Sequence, residues 1–434
     1  MTNLFIFYDF LNPPKANRGT QYCSAPLTAY QGRPFRTPSE PATSRSQAEI
    51  NGRFASKPLS VLETVIVPDD DTLTGRASTI LLMYVEQLAS VSLPAPPPEA
   101  SAEIVGVPLG AKLRNSFTAE FDLLDRKLRE SLASDVDLVR SISEYIVSGG
   151  GKRLRPLLVF LSAQALGADP RASLVIDLAA TVELIHTATL LHDDVVDESA
   201  LRRGRATANA EFGNAASVLV GDFLYSRAFQ VMVGTGKMRV LALLSEATNR
   251  IAEGEVMQLM ALGNLGLTES DYMRVIEAKT AKLFEAAGAL GAIAAGAPAA
   301  TERALAEYAR RLGVAFQIAD DVLDYRGDVN TLGKSLGDDL AEGKLTLPII
   351  ITLQRGSEGG KALLRSVLAK PHAVLPSQFR EVMDALEGCG ALDESLARAE
   401  SEAAAAAAEI AFLPESNSKK WMLELCAYAV RRDA

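Results

Sequence analysis

From about residue 111 onward the apolar positions recur at helical spacing and almost never alternate as a half-buried strand would. In FTAEFDLLDRKLRESL, near 117–132, Phe117, Phe121, Leu124 and Leu128 fall on one stripe. The same period predicts helices at about 137–148, 154–165, 173–198, 209–233, 238–261, 269–295, 301–325, 345–354, 376–387, 391–411 and 416–430. Turn-forming stretches punctuate them: Gly149-Gly150-Gly151, Asp169-Pro170, Gly234-Thr235-Gly236, Gly263 to Gly266, and Gly327 to Gly337. The run Ala403 to Ala408 is a strong helix former. No solenoid period appears. The pattern predicts an all-α fold, with one large helical domain over 111–434.

Residues 1–110 read differently. Thirteen of the 20 prolines fall by Pro108, with serine, threonine and scattered arginine around them, so this stretch is expected to be a largely disordered extension. One short helix is expected near Ser78 to Ser90. The Arg/Ser-rich, acid-poor start faintly resembles a transit peptide; a dispensable tail or a gene-start artefact is the preferred reading.

Composition narrows the function. About half of the 434 residues are apolar, enough for a sizeable core, and the net charge of −10 argues against a general nucleic-acid binder. Cys23, Cys389 and Cys426 lie far apart and form no CxxC pair, which fits a reducing compartment, without a disulfide framework or structural zinc. AAGALGAIAAGAPAAT, Ala286 to Thr301, is too short and glycine-rich to span a membrane and reads as a closely packed helix ending near Pro298. No secretory signal is expected. The cytoplasm is the expected location, or the mitochondrial matrix if the extension is a transit peptide.

The chemistry begins where an oily helix, VELIHTATLLH, runs into Asp193, Asp194 and Asp197. Like charges at i,i+3 and i,i+4 repel by roughly 0.2–0.5 kcal/mol per pair even in water, and desolvation at a buried helix end adds to that. A lone DDxxD would read as a solvated helix end. Here Asp320, Asp321 and Asp324 repeat the spacing at the end of a second apolar helix. Two such triads on facing helices can clamp a pyrophosphate through several Mg²⁺ ions, which favour hard oxygen ligands and keep some of their water.

Cations are available to complete such a site. Gly149-Gly150-Gly151-Lys152-Arg153-Leu154-Arg155 places three after glycines that let backbone approach an anion. Arg202, Arg203 and Arg205 follow the first triad in one loop; Lys279, Thr280 and Lys282 sit mid-helix; Lys334 and Lys344 follow the second triad. Taken singly, each reads as a solvated surface charge. His186 lies two turns below Asp193 on the same face, as a core histidine or a phosphate donor. His192 is left unassigned. No Walker loop and no Ser/His/Asp or Cys/His nucleophile set is evident.

Together these residues resemble the trans-prenyl diphosphate synthase family, the polyprenyl synthetases, and within it the long-chain bacterial members that make octaprenyl diphosphate. The resemblance rests on VSGGGKRLRP, ELIHTATLLHDDVVDESALRRGRATAN, GNAASVLVGDFLYSRAF, IAEGEVMQL, KTAKLFEAA, FQIADDVLDY and GKSLGDDLAEGKLTLP, spread over about 111–434. It implies a bundle of long antiparallel helices around a deep cavity, and a homodimer. It implies catalytic roles for Asp193, Asp194, Asp197, Asp320 and Lys279. Mg²⁺ would sit on Asp193, Asp197 and Asp320, with Asp194, Asp321 and Asp324 in the same motifs, and Mn²⁺ would be able to substitute. Isopentenyl diphosphate would be held by Lys152, Arg155, His186 and Arg203. The allylic diphosphate would be held by Arg202, Lys279, Thr280 and Gln317, with Lys334 and Lys344 closing over it. In the family, aromatics at the positions of Ala188 and Thr189 block the product tunnel; both are small here, so a long product is expected, C40 ahead of C45–C50, feeding quinone side-chain synthesis. Membrane contact is expected only transiently, at product release. Two alternatives are a non-catalytic subunit of a heteromeric synthase and a class I terpene cyclase. Both aspartate triads are intact, which argues against the first. The joint presence of Lys152, Arg155 and His186 argues against the second.

Overall fold

The computed structural model of the chain describes residues 109–202, 204–326, 337–371 and 374–431. The extension before them, with the helix expected near Ser78, lies outside the described residues, as do Arg203 and Lys334. The helices are α1 (Leu109–Ser116), α2 (Thr118–Ser131), α3 (Asp137–Ser148), α4 (Leu154–Ala165), α5 (Ser173–Val196), α6 (Ala208–Phe212), α7 (Asn214–Gly234), α8 (Met238–Ala261), α9 (Glu269–Ile276), α10 (Lys282–Ala294), α11 (Ala299–Arg326), α12 (Asp338–Ala341), α13 (Leu347–Arg355), α14 (Glu358–Leu368), α15 (Pro376–Gly388), α16 (Ala391–Glu409) and α17 (Asn417–Val430). The only strands among the described residues are β1 (Leu201–Arg202) and β2 (Arg205–Ala206), an antiparallel pair in what the sequence suggested was plain loop. The fold is all-α, as the spacing predicts.

Side-chain pattern fixes the packing. The stripe Phe117, Phe121, Leu124 and Leu128 is buried, and it lays α2 against α5. Neighbouring helices then run α7, α5, α4, α10, α11, α16, with α8 against α10. α10 is the glycine-rich segment, and its glycines explain its place. A Cβ on Gly288 would lie 2.3 Å from the Leu305 carbonyl oxygen of α11, and one on Gly291 2.4 Å from the Ser162 Cβ of α4. Backbones this close leave no room for a methyl. Gly288→Ala is therefore expected to lower stability by about 1–3 kcal/mol, read as a lower urea midpoint with an unchanged slope.

Three local departures from the expected elements have physical causes. The helix expected at 209–233 breaks at Gly213, whose φ of 85° only glycine adopts readily, into α6 and α7. The helix expected at 269–295 carries a π turn at Glu277–Ala281. α14 has no counterpart among the expected helices, because Gly359 and Gly360 mask it; it is started by Ser357, whose Oγ accepts the Gly360 amide at 3.1 Å. Among the described residues α5 alone is long and apolar enough to cross a membrane by composition. It packs along α4 and α7, mostly buried, and carries Asp193 and Asp194 in its last turn.

Candidate active site

α5 ends at Val196, and Asp197 caps it. Within one turn the three aspartates part company. Asp194 turns inward, 4% exposed, and its Oδ1 accepts from Arg202 Nε at 2.8 Å and sits 2.7 Å from Nη2. The β1–β2 hairpin brings Arg202 back onto the helix that precedes it, and Asn209 Nδ2 donates to the Asp194 carbonyl at 3.0 Å. Asp193 and Asp197 stay half-buried. Burial raises Asp193 above the usual carboxylate range, against the pull of Lys279, whose Nζ lies 3.8 Å away.

Lys279 also donates to Glu255 Oε2 at 2.6 Å, and burial together with Asp193 pushes Glu255 up to about 7. The approach of α8 to this turn depends on Gly254, because a Cβ there would lie 2.6 Å from the Lys279 amide nitrogen. Lys344 Nζ donates to Asp197 Oδ2 at 3.1 Å, pairs with Glu342, and lies 4.0 Å from Asp339 Oδ1. Burial opposes its charge, yet Asp339, Asp197 and Glu342 together raise its pKa.

The second triad divides in the same way. Asp320 is half-buried, whereas Asp321 and Asp324 are buried. Asp321 accepts from the Tyr272 hydroxyl at 2.6 Å and from Gln317 Nε2 at 2.7 Å; Gln317 Oε1 accepts from Thr280 Oγ1 at 2.8 Å. Burial, and then the Asp339 carboxylate, raise Asp321 well above its ordinary value. Asp324 Oδ2 accepts the Asp339 amide at 3.2 Å, and its carbonyl accepts from Gly337. The two triads, far apart in sequence, are linked through the segments that carry Lys279 and Lys344. Lys279 stands beside Asp193 while its neighbour Thr280 is tied to α11. Lys344 stands on Asp197 while the Asp339 it faces is tied to Asp324.

Two turns below Asp193 on α5, His186 Nε2 lies 3.0 Å from Arg155 Nη1, and that guanidinium stacks 4.5 Å over the Phe284 ring. Burial lowers Arg155 to about 10, with Glu183 opposing. Arg153 is spent on structure: it starts α4 with φ 47° and its side chain is held by Asp125 and Glu183. Lys152 is exposed, 5.6 Å over the Tyr428 ring. His192 packs on Gly221, 3.2 Å from the Val218 carbonyl, stacked on Tyr225. Ala188 is fully buried; Thr189 is half-buried, its hydroxyl donating to the His186 carbonyl at 2.8 Å. A cavity of about 130 Å³ runs beside α5, lined by His186, Asp194, Arg202 and the apolar Leu184, Leu190 and Leu224; neither Ala188 nor Thr189 lines it. Sequence reasoning gave no role to Glu255, Tyr272 or Asp339. Each lay inside a motif or beside one, and no spacing rule singled it out.

Two acidic helix ends tied to lysine-bearing segments of one helical bundle, with a half-buried arginine–histidine pair between α4 and α5, fit the isoprenoid synthase class. Residues 136–386 match the family model described as Polyprenyl synthetase, more than half of the chain. The octaprenyl diphosphate synthase of Escherichia coli (strain K12) is 50% identical over 321 residues, 74% of this chain and 98% of that protein. Among solved structures, a polyprenyl synthase from Caulobacter crescentus CB15, complexed with calcium and isoprenyl diphosphate, superposes with TM-score 0.72 at 42% identity, over 78% of this chain and 100% of that one. A decaprenyl diphosphate synthase from Rhodobacter capsulatus gives 0.70 at 40% identity, over 75% and 99%. The chain belongs to the polyprenyl synthetase family and is a long-chain trans-prenyltransferase.

Proposed function

We propose that the chain condenses an allylic diphosphate, such as farnesyl diphosphate, with successive isopentenyl diphosphates to give octaprenyl diphosphate for quinone side chains. The observations that carry this reading are Lys279 beside Asp193, Lys344 on Asp197, the tie of Thr280 to Gln317 on the Asp320 helix, and the Arg155–His186 pair. A C45–C50 product is the second reading, favoured by the 40% identity to the decaprenyl synthase.

The donor set suits Mg²⁺. Among the described residues no three acidic, imidazole or thiol groups close into a cage of their own. Mg²⁺ asks for none: it takes one or two carboxylates and completes its shell with water and phosphate oxygens. Asp193, Asp197 and Asp320 are the carboxylates that would hold it, and Mn²⁺ is expected to substitute. When bound, the metal supplies positive charge against the leaving diphosphate.

The chain's own groups do the rest. Lys279 and Lys344, resting on Glu255 and Asp197, are placed to turn to phosphate oxygens when substrate enters. Arg202, pinned by Asp194, offers a fixed guanidinium edge beside Asp193. Preorganised cations of this kind stabilise charge that develops as the allylic C–O bond breaks. Arg155 and His186 hold the second diphosphate, so that its isopentenyl double bond reaches the allylic carbon. The apolar walls of α4, α5 and α10 exclude water that would quench the cation. The proton released afterwards goes to the departing diphosphate.

Exposed apolar side chains on α7 (Leu219, Phe229, Val233) and α8 (Val256, Leu259, Met260) support the homodimer. The free thiols of Cys389 and Cys426 fit a reducing compartment, and the cytoplasm is our reading. Purified protein, incubated with radiolabelled isopentenyl diphosphate and farnesyl diphosphate, should make a C40 chain with Mg²⁺ and none with EDTA. Cyclic products, or no extension by the chain alone, would defeat the proposal.

A further inference from the structure

A buried chain of hydrogen bonds joins the second aspartate helix to the turn that carries Lys279, and its far end is a tyrosine to which no role has been given. α9 begins in a capping box, Thr268 with Asp271, and runs directly into the π turn at Glu277–Ala281. Tyr272, on α9, is 4% exposed. Its hydroxyl donates to Asp321 Oδ2 at 2.6 Å, and the other oxygen of that carboxylate takes Gln317 Nε2 at 2.7 Å. The Gln317 amide is set with its NH₂ toward Asp321 and its oxygen toward Thr280. That oxygen then accepts the Thr280 hydroxyl at 2.8 Å. Both ends of the α9–π-turn segment are thereby fastened to the same stretch of α11.

A π turn inserts one extra residue into a helix and is held only if its surroundings over-determine it. Here Glu277 is paired with Arg310 at 2.7 Å, Thr280 is held by Gln317, and Gly254 lets α8 press against the turn. What the turn presents to the site is the Lys279 ammonium, between Glu255 and Asp193.

We propose that Tyr272 is a positioning residue for Lys279, acting through Asp321, Gln317 and Thr280, and that Asp321 serves this chain rather than a metal ion. This rests on the prenyltransferase reading above. A purely ligating Asp321 has no need of a tyrosine and an amide occupying both its oxygens at 2.6 and 2.7 Å. The consequence is specific. Loosening the chain should harm the diphosphate that Lys279 meets and spare the one bound by Arg155 and His186.

The test is steady-state kinetics on Tyr272→Phe, Thr280→Val, the double variant and Asp321→Asn, in the full-length protein. Tyr272→Phe should raise KM for farnesyl diphosphate or lower its kcat/KM by about 10–100-fold, the loss of one hydrogen bond to a charged group. KM for isopentenyl diphosphate and the Mg²⁺ half-saturation should stay within about twofold of wild type. The double variant should be no worse than the weaker single variant, because the two substitutions cut one chain. Asp321→Asn leaves one acceptor oxygen and removes the charge that both Tyr272 and Gln317 donate to, so it should weaken the same chain, raise KM for farnesyl diphosphate in the same selective way, and again leave the Mg²⁺ half-saturation alone. Wild-type kinetics in Tyr272→Phe, additive losses in the double variant, or an Asp321→Asn whose defect is cured by raised Mg²⁺ would each overturn the proposal. An inactive wild-type enzyme would instead remove the reading beneath it.

Discussion

Asp193→Asn and Asp320→Asn should each lower kcat/KM for farnesyl diphosphate by at least about 10³-fold, equivalent to about 4 kcal/mol of transition-state stabilisation. The size follows from where the carboxylates stand. Asp193 is half-buried and already lifted by burial, so ionisation there is maintained by neighbouring cations, Lys279 first. Neutralising it removes a charge, and on the proposed reading a hard oxygen ligand, from a site of low effective dielectric, where each charge counts for more than in water. It also frees Lys279 to sit wholly on Glu255. Both variants should fold, since neither side chain anchors the core. Their Mg²⁺ half-saturation should move upward severalfold, in contrast to Asp321→Asn. Retention of more than a tenth of wild-type kcat/KM at saturating Mg²⁺ in either variant would mean that the acidic helix ends do not perform the chemistry.

Much of this was legible in the chain, and the reasons are local. Helix existence follows from a long 3.6-residue period, so α4 and α8 emerge at their full length and α5 within two residues. The triads were readable because unsolvated like charges at the end of an oily helix demand an explanation, and a second copy makes the explanation common to both. What spacing could not show is which way each aspartate turns. Asp193 and Asp194 are adjacent, so they lie about 100° apart around the helix: one reaches Lys279, the other is locked to Arg202. The same rotation leaves Asp320 half-buried and turns Asp321 inward onto Tyr272 and Gln317.

Tertiary partners were invisible for a related reason. Tyr272, Glu255 and Asp339 act on residues that lie 49, 24 and 15 positions away, and no local pattern encodes those meetings. The π turn was hidden too, because EAKTA reads as ordinary helix. It is the close approach of α8 at Gly254 and the ties to Arg310 and Gln317 that select the wider turn.

Thr189→Phe should shorten the product to about C20–C25 while leaving the first condensation intact. One helical turn is about 5.4 Å along the axis, so position 189 lies just beneath Asp193, where the growing tail must pass after one or two additions. Thr189 is half-buried and spends its hydroxyl on the His186 carbonyl, so a larger side chain has somewhere to go. Ala188 has none: it is fully buried, and Ala188→Tyr must either enter the product path or push neighbouring helices apart. Ala188→Tyr is therefore expected to shorten the product as well, with a loss of stability that Thr189→Phe avoids. Because both positions sit within about a turn of the aspartates, on the proposed tunnel they would bar short-product stopping and leave the final chain length to side chains deeper in the bundle. Reversed-phase thin-layer chromatography of the dephosphorylated products reads the outcome directly. If Thr189→Phe still yields the wild-type ladder at normal turnover, the tail does not descend along this face of α5. The path would then have to be sought on the opposite face, where the cavity lined by Leu184, Leu190 and Leu224 lies.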